Sequence, residues 1–220
     1  MAATLRLAHR GDHREEVENT LPALAAAIRV PGIDGVEFDV RLSRDGVPVV
    51  VHDADLGRVQ GVPRRVRQLT ASDLHDVGVP SLAEVLAGLP RRAHLDVELK
   101  EPLGRAGFEA LAGGRGRDLD RAIVSSFLPD ALEEIASRAP GWPRWLNVPW
   151  LGPEAVRVAT ELRCRGLAVE WRALDPTAIP HVRRAGLALA GWTVTRRPTR
   201  RRLERLELAF LCVEGAALEP

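Results

Sequence analysis

The chain has 220 residues, 45% of them hydrophobic, enough for one core of ordinary to large size; nowhere do 18 apolar residues follow one another, which excludes a membrane-spanning helix. Lysine and arginine number 31 against 30 aspartates and glutamates, so a net charge of +1 supplies no overall field for nucleic acid or an anionic membrane, and an acidic ligand needs a local site. Two cysteines, Cys164 and Cys212, stand in apolar contexts without CxxC or Cys/His spacing, which excludes a thiolate metal centre; they read as buried thiols, and with no apolar leader after Met1 the expectation is a cytoplasmic protein with one domain over residues 1–220.

Short β-type runs alternate with amphipathic helical runs along the chain, the pattern of an α/β protein with a parallel sheet. The first strand reads at Leu5–His9 and is followed by a helix at Thr20–Arg29, capped by Asn19 or Thr20. The second strand, Gly35–Val40, is followed after Asp45-Gly46 by a run at Val47–His52. That turn is too short for a crossover helix, so the run is the return arm of a hairpin. A short basic stretch through Arg64–Arg67 leads to Pro80, a helix at Ser81–Leu89 that Ser81 caps, and a strand at His94–Leu99. Over Gly104–Arg117 the Gly113-Gly114-Arg115-Gly116 cluster interrupts helical pattern, so a short helix followed by a mobile loop is expected. Beyond it come strands at Ala122–Phe127, Arg144–Val148, Leu167–Trp171, Leu187–Val194 and Ala209–Val213, with helices at Pro129–Ala139, Pro153–Cys164, Thr177–Ala185 and Thr199–Leu206. Setting the hairpin arm aside leaves eight strands, and the expected fold is a (β/α)8 TIM barrel with a short hairpin arm and a small insertion after the second strand.

Period two in the second strand puts Glu37 and Asp39 on one face and Val36, Phe38 and Val40 on the other. In His94–Lys100 the same period puts Asp96, Glu98 and Lys100 on one face. Acids crowded at the end of parallel barrel strands resist ionisation unless a cation lies between them, and a hard divalent ion suits such an oxygen set. Lys100 is the only lysine in a chain whose other basic residues are all arginine, which hints that a compact ammonium is wanted there. His9 and His52 each stand where an apolar strand gives way to a polar loop, and two imidazoles can trade protons on either side of a phosphate.

In chain order, His9-Arg10-Gly11, Glu18-Asn19-Thr20, Glu37-Phe38-Asp39, Asp45-Gly46, Pro48-Val49-Val50, His52-Asp53, Pro80-Ser81-Leu82, Glu98-Leu99-Lys100, Ser126-Phe127 and Trp192-Thr193-Val194 make a specific ordered set. On these motifs the chain resembles the glycerophosphodiester phosphodiesterase family, within the superfamily of phosphatidylinositol phospholipase C-like phosphodiesterase barrels. The resemblance implies metal-dependent hydrolysis of small glycerophosphodiesters to glycerol 3-phosphate and an alcohol. It implies Glu37, Asp39 and Glu98 as ligands of Ca²⁺ or Mg²⁺, and His9 and His52 as the acid–base pair. Arg10 and Lys100 would contact phosphate, and Trp192 would wall the glycerol. Which histidine is the acid, and whether water or the substrate's own hydroxyl attacks, stay open at this level, as do the alcohol headgroup and the oligomeric state.

Two departures stand out. The segment after the hairpin is short, so the cover over the alcohol side should be small, and the usual glycine-rich, Asp-containing ending is replaced by Leu211-Cys212-Val213-Glu214-Gly215. The altered ending is not expected to touch a proposed ligand or acid–base group. The clusters Arg64–Arg67 and Arg196–Arg202 read as solvated faces. Two rival readings are a phospholipase D-like barrel enzyme acting on lysophospholipid or sphingomyelin, for which no exposed aromatic cluster is legible, and a non-catalytic phosphate-binding barrel. Nucleic-acid cleavage is disfavoured by the neutral balance and the lack of stacking aromatics.

Overall fold

The apolar runs close on themselves in the computed structural model, which describes residues 3–220. β1 (Leu5–His9) leads to α1 (Leu21–Arg29), whose N-cap is Thr20, the side chain accepting from the Ala23 N–H. β2 (Gly35–Leu42) lies parallel to β1, and β3 (Pro48–Val50) returns antiparallel along β2 as the expected hairpin arm, with Val40 opposite Val50. After β4 (Asp55–Leu56), β5 (Val62–Arg65), α2 (Ala71–Asp76) and α3 (Leu82–Gly88), the barrel resumes at β6 (His94–Leu99), parallel to β2. The rest of the chain repeats one unit: α4 (Gly104–Arg115), β7 (Ala122–Ser126), α5 (Pro129–Arg138), β8 (Arg144–Val148), α6 (Pro153–Glu161), β9 (Gly166–Glu170), α7 (Ile179–Arg184), β10 (Ala188–Val194), α8 (Arg197–Glu204) and β11 (Phe210–Val213). β11 pairs with β1, which closes eight parallel strands into a TIM barrel with helices outside.

The strand period decides what each side of the barrel wall carries. Val36, Phe38, Val40, Leu95, Val97 and Leu99 face outward into the layer beneath the helices, the main core. Inward, Leu7, Trp145, Ala168, Ala190, Phe210 and Cys212 form a separate apolar plug, with Trp145 and Phe210 edge to face at 4.8 Å. Both cysteines are buried and free.

α4 corrects the expectation of a short helix and loose loop, because it runs 12 residues through Gly107, Gly113 and Gly114. A Cβ at Gly114 would stand 2.8 Å from Leu86 of α3, so the missing side chain is what lets the two helices approach. Arg115 then fastens the end: it is 1% exposed, and its guanidinium donates to the carbonyls of Arg91, Ala93 and Pro90. Arg144 and Arg200 are used in the same way, Arg144 on the carbonyls of Pro140, Trp142, Leu162 and Arg163, and Arg200 on those of Ala217 and Glu219. Arg200 is therefore buried and is no part of a solvated arginine face.

Smaller differences fall at element ends. α6 stops at Glu161 because Arg163 turns into the left-handed region (φ 52°), and α8 begins two residues early because Pro198 sits in its first turn. α7 starts after Thr177, which is tied to the Asp175 carboxylate. Between β2 and β6, the β4–β5 hairpin and α2 were not legible in the sequence. They enclose a small apolar core of their own, with Val49, Val51, Leu56, Val66, Leu69, Leu74 and Val79 buried. Arg115→Met should cost about 2–4 kcal/mol in urea unfolding, since it strands the buried Ala93 carbonyl and takes the donor from the half-buried bonds to Arg91 and Pro90; a loss below about 1 kcal/mol would mean that water replaces the guanidinium.

Candidate active site

β2 and β6 are neighbours in a register that sets Glu37 beside Asp96 and Asp39 beside Glu98. Because the outward positions are apolar, all four carboxylates point into the barrel mouth, at 3%, 2%, 1% and 9% exposure respectively. Burial, reinforced by the neighbouring carboxylates, pushes Glu37 well above the usual carboxylate range, and the same causes raise Glu98. Burial brings Asp96 to about 7, against a pull from Ser125. Burial also works against Asp39, but Lys100 and Arg10 outweigh it and hold that group at about 2. Lys100 Nζ lies 2.9 Å from Asp39 and also pairs with Glu98, while Arg10 Nε lies 3.2 Å from Asp39.

These residues suit a hard cation. Ligand oxygens of Glu37, Asp39 and Glu98 all lie within 4.8 Å of one another, and Glu37 Oε1 is buried without a hydrogen-bond donor. Four carboxylates against Arg10 and Lys100 leave two negative charges, the charge that one divalent ion would balance.

The strand-end loops orient the rest. Arg10 and Gly11 both take the left-handed backbone, and a Cβ on Gly11 would strike the Ala23 backbone at 2.5 Å, so the turn needs that glycine. The turn presents the Arg10 N–H to Glu37 Oε2 at 3.1 Å. Asn19, also left-handed, donates its side-chain N–H to Asp39 Oδ2 at 2.8 Å and accepts the Asp39 N–H, which fixes the carboxylate. His9 Nδ1 lies 2.8 Å from Glu214 Oε2, and its Nε2 lies 3.9 Å from Glu37. His52 Nδ1 lies 2.7 Å from Asp53 Oδ1. An ionised carboxylate can only accept, so each Nδ1 carries the proton and each Nε2 is left free. Burial lowers His52 below the ordinary imidazole range, with Asp39 pulling the other way. Arg58 completes a chain of ion pairs: it binds Asp53 at 2.6 Å and both Glu18 oxygens, and Glu18 holds Arg10 at 2.8 Å.

A cavity of about 180 Å³ opens among His9, Arg10, His52, Glu98, Lys100 and Trp192, so the residues that spacing and resemblance selected do converge. Trp192 donates its indole N–H to Ala168 O and stands edge-on to Phe127 at 5.2 Å, which makes it a wall of this cavity rather than core filling. Spacing alone did not single out Glu214: contrary to expectation, the altered C-terminal ending touches His9, one of the two proposed acid–base groups. The exposed apolar side chains at the mouth were not singled out either. Val17, Phe127, Leu128 and Trp150 all follow the C-terminal ends of barrel strands, and Trp150 is 72% exposed. Among the described residues, no helix is long and apolar enough to cross a membrane.

The carboxylates give the metal-free protein a pH signature. Asp96 binds its proton more tightly folded than unfolded, so its contribution is present below about pH 4 and is lost as pH rises towards 7. Asp39, held at about 2, acts in the opposite sense and only at lower pH. Melting temperature in EDTA should therefore fall between pH 4 and 7, and Asp96→Asn should flatten that decline; an unchanged slope in the variant would assign the decline to other groups.

Comparison with known proteins agrees with this geometry. The model of the glycerophosphoryl diester phosphodiesterase family matches residues 9–214. A glycerophosphodiester phosphodiesterase of Caldanaerobacter subterraneus subsp. tengcongensis is 27% identical over 218 residues, covering 91% of this chain and 89% of its own. Among solved structures, a glycerophosphodiester phosphodiesterase from Thermotoga maritima superposes with a TM-score of 0.82 at 27% identity, over 100% of this chain and 97% of that one. A phosphodiesterase from Oleispira antarctica, in complex with the product sn-glycerol-3-phosphate, gives 0.85 at 25% identity, over 96% and 93%. With the family's match running from His9 to Glu214, the two residues that the fold joins at the barrel mouth, the chain belongs to the glycerophosphoryl diester phosphodiesterase family.

Proposed function

We propose that this phosphodiesterase, acting as one domain over residues 1–220, hydrolyses small glycerophosphodiesters to glycerol 3-phosphate and an alcohol, with Ca²⁺ or Mg²⁺ held by Glu37, Asp39 and Glu98. The observation that carries the reading is the convergence of two anchored histidines, two cations and the acidic trio, with Glu37 and Glu98 lining and Asp39 just behind them, on one cavity of about 180 Å³. The ion would act as a Lewis acid on a non-bridging phosphoryl oxygen. Arg10 and Lys100 bind the phosphate and share the charge that builds on it in the transition state. His52, kept neutral by burial, takes the proton from the attacking hydroxyl on its Nε2, while His9 acts as the imidazolium, its charge balanced by Glu214, and gives its Nε2 proton to the leaving alkoxide. Asp53 and Glu214 hold the two imidazoles with Nε2 forward, and Trp192 shields the glycerol.

Release of glycerol 3-phosphate from glycerophosphocholine and glycerophosphoethanolamine should disappear in EDTA and return with Ca²⁺ or Mg²⁺. His9→Ala and His52→Ala should each lower kcat by about 10²–10⁴-fold. Glu98→Gln should abolish metal rescue, and Asn19→Ala should raise the metal concentration needed by about 10–100-fold, because it frees Asp39. Folded protein inactive with every metal and headgroup would remove the reading.

One observation favours a second substrate class. Beside the catalytic cavity an apolar groove of about 310 Å³, lined by Phe127, Leu146, Val148, Trp150 and Val158, shares Phe127 and Asn147 with it. A lysophospholipid could lay its acyl chain there. In that case choline release from lysophosphatidylcholine should fall in Trp150→Ala while turnover of glycerophosphocholine holds.

A further inference from the structure

Besides the acidic trio, the described residues hold one more group able to ligate an ion: His9, His13 and Glu214, whose donor atoms lie within 4.8 Å of one another. They come from the end of β1, the loop after it and the end of β11, so the fold rather than local sequence assembles them. Glu214 Oε2 lies between the two imidazoles, 2.8 Å from His9 Nδ1 and 3.7 Å from His13 Nε2. Two donors on one tetrahedral zinc ion, with bonds of about 2.0–2.2 Å, stand roughly 3.3 Å apart, so these separations bracket what such an ion needs. The three side chains keep 18%, 31% and 27% of their surface, open to an ion from solvent. Glu15 and Glu16 add negative charge to the loop beyond the pairs that Asp12 makes with Arg14 and Glu18 makes with Arg10 and Arg58.

Donor chemistry separates this cluster from its neighbour. Three carboxylates suit Ca²⁺ or Mg²⁺, whereas two imidazoles and one carboxylate suit zinc, cobalt or nickel. We propose that His9, His13 and Glu214 form a second metal site, taken by a zinc-like divalent ion, whose occupation inhibits the enzyme. The ion replaces the proton on His9 Nδ1, which leaves to solvent, and it turns the bond between His9 and Glu214 into a shared coordination. With its ring held by the ion, His9 no longer has the freedom or the charge state to cycle a proton, a consequence that rests on its acid–base role above. His13 does not line the catalytic cavity, so its contribution at this site is to the ion.

The test uses full-length protein saturated with Mg²⁺, so that the acidic trio is filled. Zinc is titrated by competition with a chromophoric chelator, for the parent protein, His13→Ala, His13→Gln and Glu98→Gln. The parent and Glu98→Gln should each bind one zinc ion, and both His13 variants should bind it at least about tenfold more weakly, since even an outer-shell partner is worth that much. In turnover, the zinc concentration for half inhibition should rise by the same factor in both His13 variants, with activity in the absence of zinc unchanged. Equal zinc affinity in parent and His13 variants, or zinc binding lost in Glu98→Gln instead, would overturn the assignment. The binding measurement needs no turnover, so it decides the site even if the proposed hydrolysis fails.

Discussion

Everything at the mouth of this barrel follows from carboxylates that cannot all be charged in a dry interior. Glu37, Asp39, Asp96 and Glu98 share one patch of two adjacent strands, and Lys100 and Arg10 neutralise only part of it. Desolvation and mutual repulsion would be ruinous for a scaffold whose only purpose was to stay folded. Here they are tolerated because the outward face of the same strands packs six apolar side chains into the main core, so the strands hold their register against the repulsion. The unfavourable charge is thereby kept in place, where the proposed divalent ion would balance it.

The second constraint is orientation. An imidazole at the end of a strand has two nitrogens and freedom to turn, and a partner on Nδ1 is what fixes which nitrogen faces the cavity. Asp53 provides one from the adjacent position and Glu214 the other from the far end of the chain. The chain of ion pairs from Asp53 through Arg58 and Glu18 to Arg10 joins the insertion after β2 to the loop after β1, so one side of the mouth is tied to the other. Electrostatics binds these loops where backbone pairing does not.

Much of this was legible in the residues because period two is a strong signal. Glu37 with Asp39 and Asp96 with Glu98 could be placed on an inward face from spacing alone, and the eight strands followed from their alternation with helices. What stayed hidden depends on contacts across long separations. Nothing local marks Glu214 as the partner of a histidine 205 positions away. The glycine cluster in α4 looked like a helix breaker because the benefit of lacking a Cβ at Gly114 appears only once Leu86 lies against it. Arg115, Arg144 and Arg200 resembled any other arginine in a chain rich in them, and only their burial shows that they act as fasteners for carbonyls. The exposed Trp150 is a similar case, since a lone tryptophan in sequence carries no sign of which way it faces.

The insertion between β2 and β6 has buried apolar residues of its own, apart from those of the barrel. Its interior can therefore accumulate substitutions without loosening the strands that carry the acids. Substitutions inside this second core would shift the rim that carries His52, Asp53 and Arg58, while the barrel core that sets the register of the acid-bearing strands stays as it is.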